Sequence, residues 1–300
     1  MKNLNTIRAK DFYSVMIAAA LWGTIGIATQ TIHTVDHTSS LFISFLRTLI
    51  ATPILFIISW RVLGRDLFRV SIRDAIMIAI SGIFLALSQT AYFEGIKYAG
   101  ITIATLLTIC VSPIIVASFS VLLRIEILTN RKILAMLSAL CGSMLLVGFV
   151  TNQSPTLLQG IWYSLLSAGL YAGVIISSKV LSDRCHPLQV ISLGFCVGTI
   201  LLAVLSVSIE PSSIQSIQGW LSVIYLGLVP SALGYWLFQR GLKSISATTA
   251  SIITLLEPFV AALLAWFIYG ETLSVLGLIG GFMLLGSIIL LSVDTKLPES

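Results

Sequence analysis

Two ionisable side chains lie deep in long apolar runs: Arg47, seventh in the run 41–60, and Glu257, thirteenth in the run 245–269. A charge at bilayer mid-depth costs about 2.5–3.5 kcal/mol on insertion scales, which makes each a functional candidate. Glu257 could recognise a substrate charge or carry a coupled proton; it could equally close a structural ion pair. Arg47 could hold a substrate carboxylate, or clamp neighbouring helices by donating to their carbonyls. The sequence leaves open whether the two meet. Trp22 and Tyr171 are each eleventh in a run of twenty residues, too deep for an interfacial belt. They could stack on an apolar or cationic solute, or simply pack. Gln89, Tyr92, Tyr235 and Gln239 add amide and hydroxyl groups within other runs. Pro113 and Pro258 each remove a helical N–H and leave a carbonyl, on Ile109 and Thr254, without its usual partner. Both are candidate hinges, with static curvature as the alternative.

The elements that hold these groups follow from composition. The chain has 300 residues, of which 57% are hydrophobic and 10% charged, and its mean hydropathy is +1.03. A soluble domain carries about 25% charged residues to wet its surface, so a soluble, disordered or collagen-like chain is excluded and a membrane protein remains. A helix needs about 20 apolar residues to cross the hydrocarbon core. Ten runs qualify: 12–31, 41–60, 75–93, 101–123, 133–150, 161–180, 188–207, 220–238, 245–269 and 273–293. They are continuously apolar rather than alternating, which predicts helices, not barrel strands, and they leave no room for a soluble domain. The first run follows Lys2, Arg8 and Lys10, as in a signal peptide, but its length and its central Trp22 predict a retained helix.

Of the 17 Lys and Arg residues, 15 fall on one side of this ten-span layout, Lys97 falls on the other, and Arg47 lies within a span. The positive-inside rule therefore places both termini in the cytoplasm, in a multi-pass protein of the cell inner membrane. The net charge of +5 is a topology signal and does not point to nucleic acid. Cys110, Cys141, Cys185 and Cys196 have no disulfide or zinc spacing, and His33, His37 and His186 make no metal site. No cofactor is implied.

A weak repeat runs through the chain. A shift of 149 lays 18–24 on 167–173, pairing Trp22 with Tyr171 and His37 with His186. A shift of 146 lays 94–100 on 240–246, with Gly95 on Gly241 and Lys97 on Lys243; one of 145 lays Pro113 on Pro258 and Glu126 on Glu271. The order is kept while the offset drifts, which suggests duplication of 11–150 as 157–293. Each unit has five spans, an odd number, so the second must enter the membrane the opposite way round. Inverted repeats supply two near-equivalent packings, as alternating access requires. Arg47 and Glu257 fall opposite Cys196 and Ser112, so neither charge is repeated at the symmetry position.

The ten-span layout, the Trp22-Gly23 pair, Arg47 within the second span and Glu257-Pro258 in the ninth resemble the EamA-type branch of the drug/metabolite transporter superfamily. The resemblance covers nearly the whole chain, through short motifs. It implies an all-α membrane fold in which spans one, three, four, six, eight and nine surround a cavity, with five and ten peripheral. It also implies movement of amino acids, other metabolites or drugs, most often outward.

The functional expectation is a secondary transporter that exports a small amino-acid-like or amphipathic metabolite or drug. Its partners are that small-molecule substrate and the lipid bilayer. One alternative is an importer or exchanger of an organic cation or a nucleoside-like metabolite; another is a membrane-embedded enzyme or lipid-handling protein. No H-E-x-x-H, P-loop, G-x-S-x-G or carboxylate pair on one span supports an enzyme or an ATP-driven pump. Arg47 as sole intramembrane cation disfavours phosphorylated substrates. The G-x-x-x-G pairs 169/173, 194/198 and 277/281 permit close helix approach, and the last could support a homodimer.

Overall fold

A computed structural model describes residues 2–36, 38–99, 101–147, 156–207, 213–269 and 274–294. The described residues are helical, without strands. Apolar runs in lipid leave the backbone no partner but itself, and helices supply it. Nine of the helical stretches are long and apolar enough to cross a membrane. The expected fifth run, 133–150, extends past the described residues; its described part is helix α6 below. The protein is an all-α, multi-pass membrane protein.

The first span is α1 (Lys2–Gly23) followed by α2 (Ile25–Asp36), and the second is α3 (Ser40–Leu63), capped by Ser39, whose hydroxyl accepts the Phe42 N–H. Three long helices follow: α4 (Ile72–Ala99), α5 (Ile101–Leu122) and α6 (Asn130–Val147). The second half opens with α7 (Leu157–Ser182) and α8 (Pro187–Val207). The eighth span is divided into α9 (Ile217–Leu226), a π-helical turn (Gly227–Gly234) and α10 (Tyr235–Gly241). The ninth is α11 (Ala247–Ile253) and α12 (Leu256–Tyr269), and α13 (Val275–Asp294) completes the chain.

Three of the expected uninterrupted spans are thus broken near their middle. In the first, Thr24 donates its amide (3.2 Å) and its hydroxyl (2.6 Å) to the Leu21 carbonyl, which tightens one turn. In the eighth, Pro230 sits between Gly227 and Gly234 inside the widened turn. In the ninth, the Glu257 amide bonds to Thr254 O (3.0 Å), so the carbonyl expected to be orphaned by Pro258 is satisfied from one residue earlier. Pro258 itself lies in the first turn of α12, where a missing N–H costs nothing. Pro113, by contrast, is enclosed in the unbroken α5.

Helix pairing follows the repeat. α6 packs on α13 and α3 on α8; α4 packs on α7 as α10 packs on α1; α5 packs on α7 as α12 packs on α1. Small residues bring backbones together where α4 meets α8 and where α6 meets α13. A Cβ on Gly82 would collide with the Gly194 carbonyl, and one on Gly142 would lie 2.7 Å from Gly280 O.

The connections sort onto two ends. At one end, Asp36 accepts the amides of Gln215 (3.0 Å) and Ser216 (2.9 Å), and Thr156 donates to Tyr98 O (3.2 Å). At the other, Arg184 pairs with Asp74 (3.5 Å) and Gln189 donates to Asp66 O (2.7 Å). The connections after spans one and seven therefore meet each other, as do those after three and five and those after two and six.

Candidate functional site

The breaks in spans one, eight and nine lie against each other. Trp22, at the end of α1, donates its indole Nε1–H to Pro230 O in the π turn (3.0 Å). Gly23 faces the start of α12, where an added Cβ would lie 2.7 Å from both Glu257 O and Val260 Cβ. Thr24 accepts a hydrogen bond from Tyr225 of α9 (2.8 Å). Glu257 follows directly on the break between α11 and α12, half-buried in the first helical turn.

Around Glu257 the fold gathers most of the residues expected from sequence. Tyr92 from α4, Tyr171 from α7, Tyr235 from α10 and Arg47 from α3 all interact electrostatically with it. Arg47 is buried and its Nε has no hydrogen-bond partner; it forms no ion pair with Glu257. Tyr92 shares a hydroxyl–hydroxyl bond with Thr105 of α5 (2.7 Å). Tyr235 packs against Trp22 at a tilt of 53° (4.8 Å between centroids) and meets Phe195 edge-on (5.2 Å). Gln89 of α4 carries both amide atoms buried without a partner. A buried amide left unsatisfied is costly in a fold and rare unless something else completes it.

The remaining candidates border this cluster and are engaged in packing or in contacts of their own. Trp22 is 3% exposed, held between Tyr235 and Phe238 (5.2 Å), so it packs rather than lining an opening. Gln239, also buried, donates to Ser178 O (3.3 Å) at the edge of a narrow apolar cleft between α4, α7, α8 and α10. Pro258 borders a second small void with Thr105, Cys110 and Ser143.

Sequence reasoning gave no site role to Ser231, Ser112 or Gly23. Ser231, in the π turn, has a fully buried hydroxyl without a partner, as does Ser112, the residue matched to Glu257. Gly23 admits the α12 backbone. The one available signal was Gly227, Pro230 and Gly234 spaced within a single span.

At the end carrying Arg124, Lys132 and Lys179, polar contacts converge on the link between spans eight and nine. Glu126 accepts the amides of Ala247 and Thr248 and pairs with Lys132 (3.8 Å), both side chains nearly fully buried. Lys179 (2.8 Å) and Ser182 (3.2 Å) donate to Leu242 O, and Ser244 donates to Asp11. Nearby, burial and Lys243 push the His186 pKa below its ordinary value, and its Nδ1 accepts the Leu188 amide (3.2 Å) as a helix cap, the role of a neutral imidazole. No cluster of potential metal ligands exists among the described residues. His37 and Glu271, used in the repeat, lie outside the described residues.

Broken intramembrane helices around unpaired charged groups define a class, the membrane transporters. The EamA-like transporter family model matches twice, over residues 12–148 and 158–293, and the chain belongs to that family. An uncharacterized transporter, YwfM of Bacillus subtilis, is 28% identical over 94% of both chains. The uncharacterized inner membrane transporter YicL of Salmonella typhimurium is 28% identical over 96% of both. A probable terminal-alkyne amino-acid exporter of Streptantibioticus cattleyicolor is 28% identical over 74% of this chain and 75% of its own. A solved crystal structure at 21% identity superposes with a TM-score of 0.82 over 97% of this chain and 99% of its own, which shows the fold.

Proposed function

We propose that this transporter is secondary-active and exports a zwitterionic, amino-acid-like metabolite with an apolar side chain. The observation that carries the reading is a carboxylate and a guanidinium in electrostatic reach of each other yet unpaired, in low-dielectric surroundings, with three tyrosines in reach of the carboxylate. Two opposite charges held apart are complementary to an ammonium and a carboxylate on one solute. Tyr92, Tyr171 and Tyr235 offer ring faces for the ammonium and the apolar portion. The relative named as an amino-acid exporter supports the same class.

In this reading the chain forms ten spans, as inverted units 11–150 and 157–293, in the cell inner membrane with both termini cytoplasmic. Closure of the basic end by Glu126, Lys179 and Asp11 belongs to one of two alternating states, and the repeat provides the other.

Counterflow in proteoliposomes with labelled L-phenylalanine tests the reading, using phenethylamine and 3-phenylpropanoate as competitors that each lack one charge. The zwitterion is expected to compete best. Glu257→Gln should weaken competition by the amine, and Arg47→Gln that by the acid, by roughly 10- to 100-fold each. Phenethylamine outcompeting phenylalanine, with Arg47→Gln silent, would replace this reading with an organic-cation carrier. Absence of counterflow with all three would overturn the amino-acid assignment.

A further inference from the structure

We infer that Trp22 is a positioning residue: by donating its indole N–H to the Pro230 carbonyl it holds the π turn of span eight open and so sets which way Tyr235 faces. This rests on the reading of the Tyr235–Glu257 cluster as the substrate site.

The argument starts with backbone accounting. A π turn carries one residue more per turn than an α-helix, and its hydrogen bonds are the less favourable set. Pro230 brings no N–H to the segment. The amide five residues on, Tyr235, would close a π bond to the Pro230 carbonyl, but it turns to the carbonyls of Ser231 and Ala232. The Pro230 carbonyl instead takes the Trp22 Nε1–H at 3.0 Å, a bond spanning 208 residues of sequence and buried from water. A buried carbonyl deprived of its donor is left unsatisfied, a loss large enough to shift a marginal turn.

The neighbours fit the same assignment. Gly234 closes the π turn directly beneath the indole, with space for a Cβ only 3.0 Å from Nε1. Tyr235 and Phe238, the residues immediately downstream, clasp the ring at 4.8 and 5.2 Å. If the turn relaxed to α-helix, every residue of α10 would rotate by about 100° relative to α9, because one residue of helical phase is lost. Tyr235 would then leave Glu257 and Phe195. Trp22 would thus act on substrate through Tyr235 without touching it, consistent with its 3% exposure.

The experiment reads the orientation of position 235 directly. In a cysteine-free full-length protein carrying Tyr235→Cys, the rate of modification by a membrane-impermeant methanethiosulfonate is compared with and without a change at Trp22. Trp22→Phe keeps a ring and removes the donor. A second variant replaces Trp22 by β-(3-benzothienyl)alanine, which preserves both rings and lacks only the N–H, so failure to fold from lost packing is avoided. Both are expected to change the labelling rate in the same direction by roughly tenfold or more. An unchanged rate in both overturns the assignment. So does a change confined to Trp22→Phe, since ring packing would then be the operative property. The labelling needs no transported solute, so its failure is distinguishable from failure of the L-phenylalanine competition.

Discussion

Spans one, eight and nine are interrupted at mid-depth, whereas their repeat counterparts six, three and four are the unbroken helices α7, α4 and α5. The family model matches the two halves of the chain alike, yet the two trios are built differently. The broken trio contributes irregular backbone, the intramembrane carboxylate Glu257 and the π turn. The continuous trio contributes polar side chains from unbroken helices: Gln89 and Tyr92 from α4, Thr105 from α5, Tyr171 from α7. Irregular backbone at this depth is tolerated only where protein or a water-filled cavity satisfies it. Trp22, Thr24 and the Glu257 amide perform that task here. The difference teaches that the intramembrane carboxylate and the irregular backbone are concentrated in one trio, against a partner of unbroken helices.

The largest expected effect removes the charge from the broken trio. Glu257→Gln should abolish pH-gradient-driven uptake of L-phenylalanine in proteoliposomes, by roughly 100-fold, while gel filtration and Tm show a folded protein. Gradient-driven flux at the wild-type rate would remove Glu257 from the mechanism and leave the comparison one of backbone geometry alone.

The two matched prolines provide the next test. Pro258→Ala supplies an N–H that can reach Thr254 O and displace the Glu257 amide, merging α11 with α12 and turning the carboxylate. Transport should fall about tenfold with little loss of stability, since alanine is well tolerated in a first helical turn. Pro113→Ala restores an ordinary bond inside α5 and should leave transport within about twofold while raising Tm. Equal losses in the two variants would show that both trios flex, and that the proline in the unbroken helix is a hinge after all.

How much of this was readable without coordinates follows from what hydropathy reports. Arg47 and Glu257 are visible because a charge in an apolar run is an energetic anomaly that needs no structure to detect. Tyr171 and Tyr235 lie in electrostatic reach of Glu257, and the repeat drew attention to the first of them. The spans were legible as lengths, but their breaks were not. Whether 217–241 is one helix or two around a π turn depends on a donor from Trp22, more than 200 residues away. Trp22 itself was readable as deep and aromatic, not as a hydrogen-bond donor turned away from the path. Gly23 was visible only as half of a motif; that it clears the Glu257 carbonyl is a fact of packing. Pro258 signalled a missing N–H correctly, yet the consequence expected for Thr254 was cancelled locally by the neighbouring amide.

The smallest effect, and the one that separates folding from function most cleanly, concerns the continuous trio. Gln89 buries both amide atoms without a protein partner. In an element whose only task was packing, that amide would be replaced with advantage by an apolar side chain of similar size. Gln89→Leu removes an unsatisfied donor and acceptor, and should stabilise the protein by about 1–2 kcal/mol, read as a higher Tm in detergent. If the amide is there to meet solute, the same change should weaken L-phenylalanine binding by roughly three- to tenfold, since a net hydrogen bond is worth about 0.5–1.5 kcal/mol. Stability and affinity would then move in opposite directions, the behaviour expected where a site keeps polar groups ready at the expense of the fold. Should Gln89→Leu lower the Tm while binding stays intact, the amide is structural, and the continuous trio contributes shape without recognition.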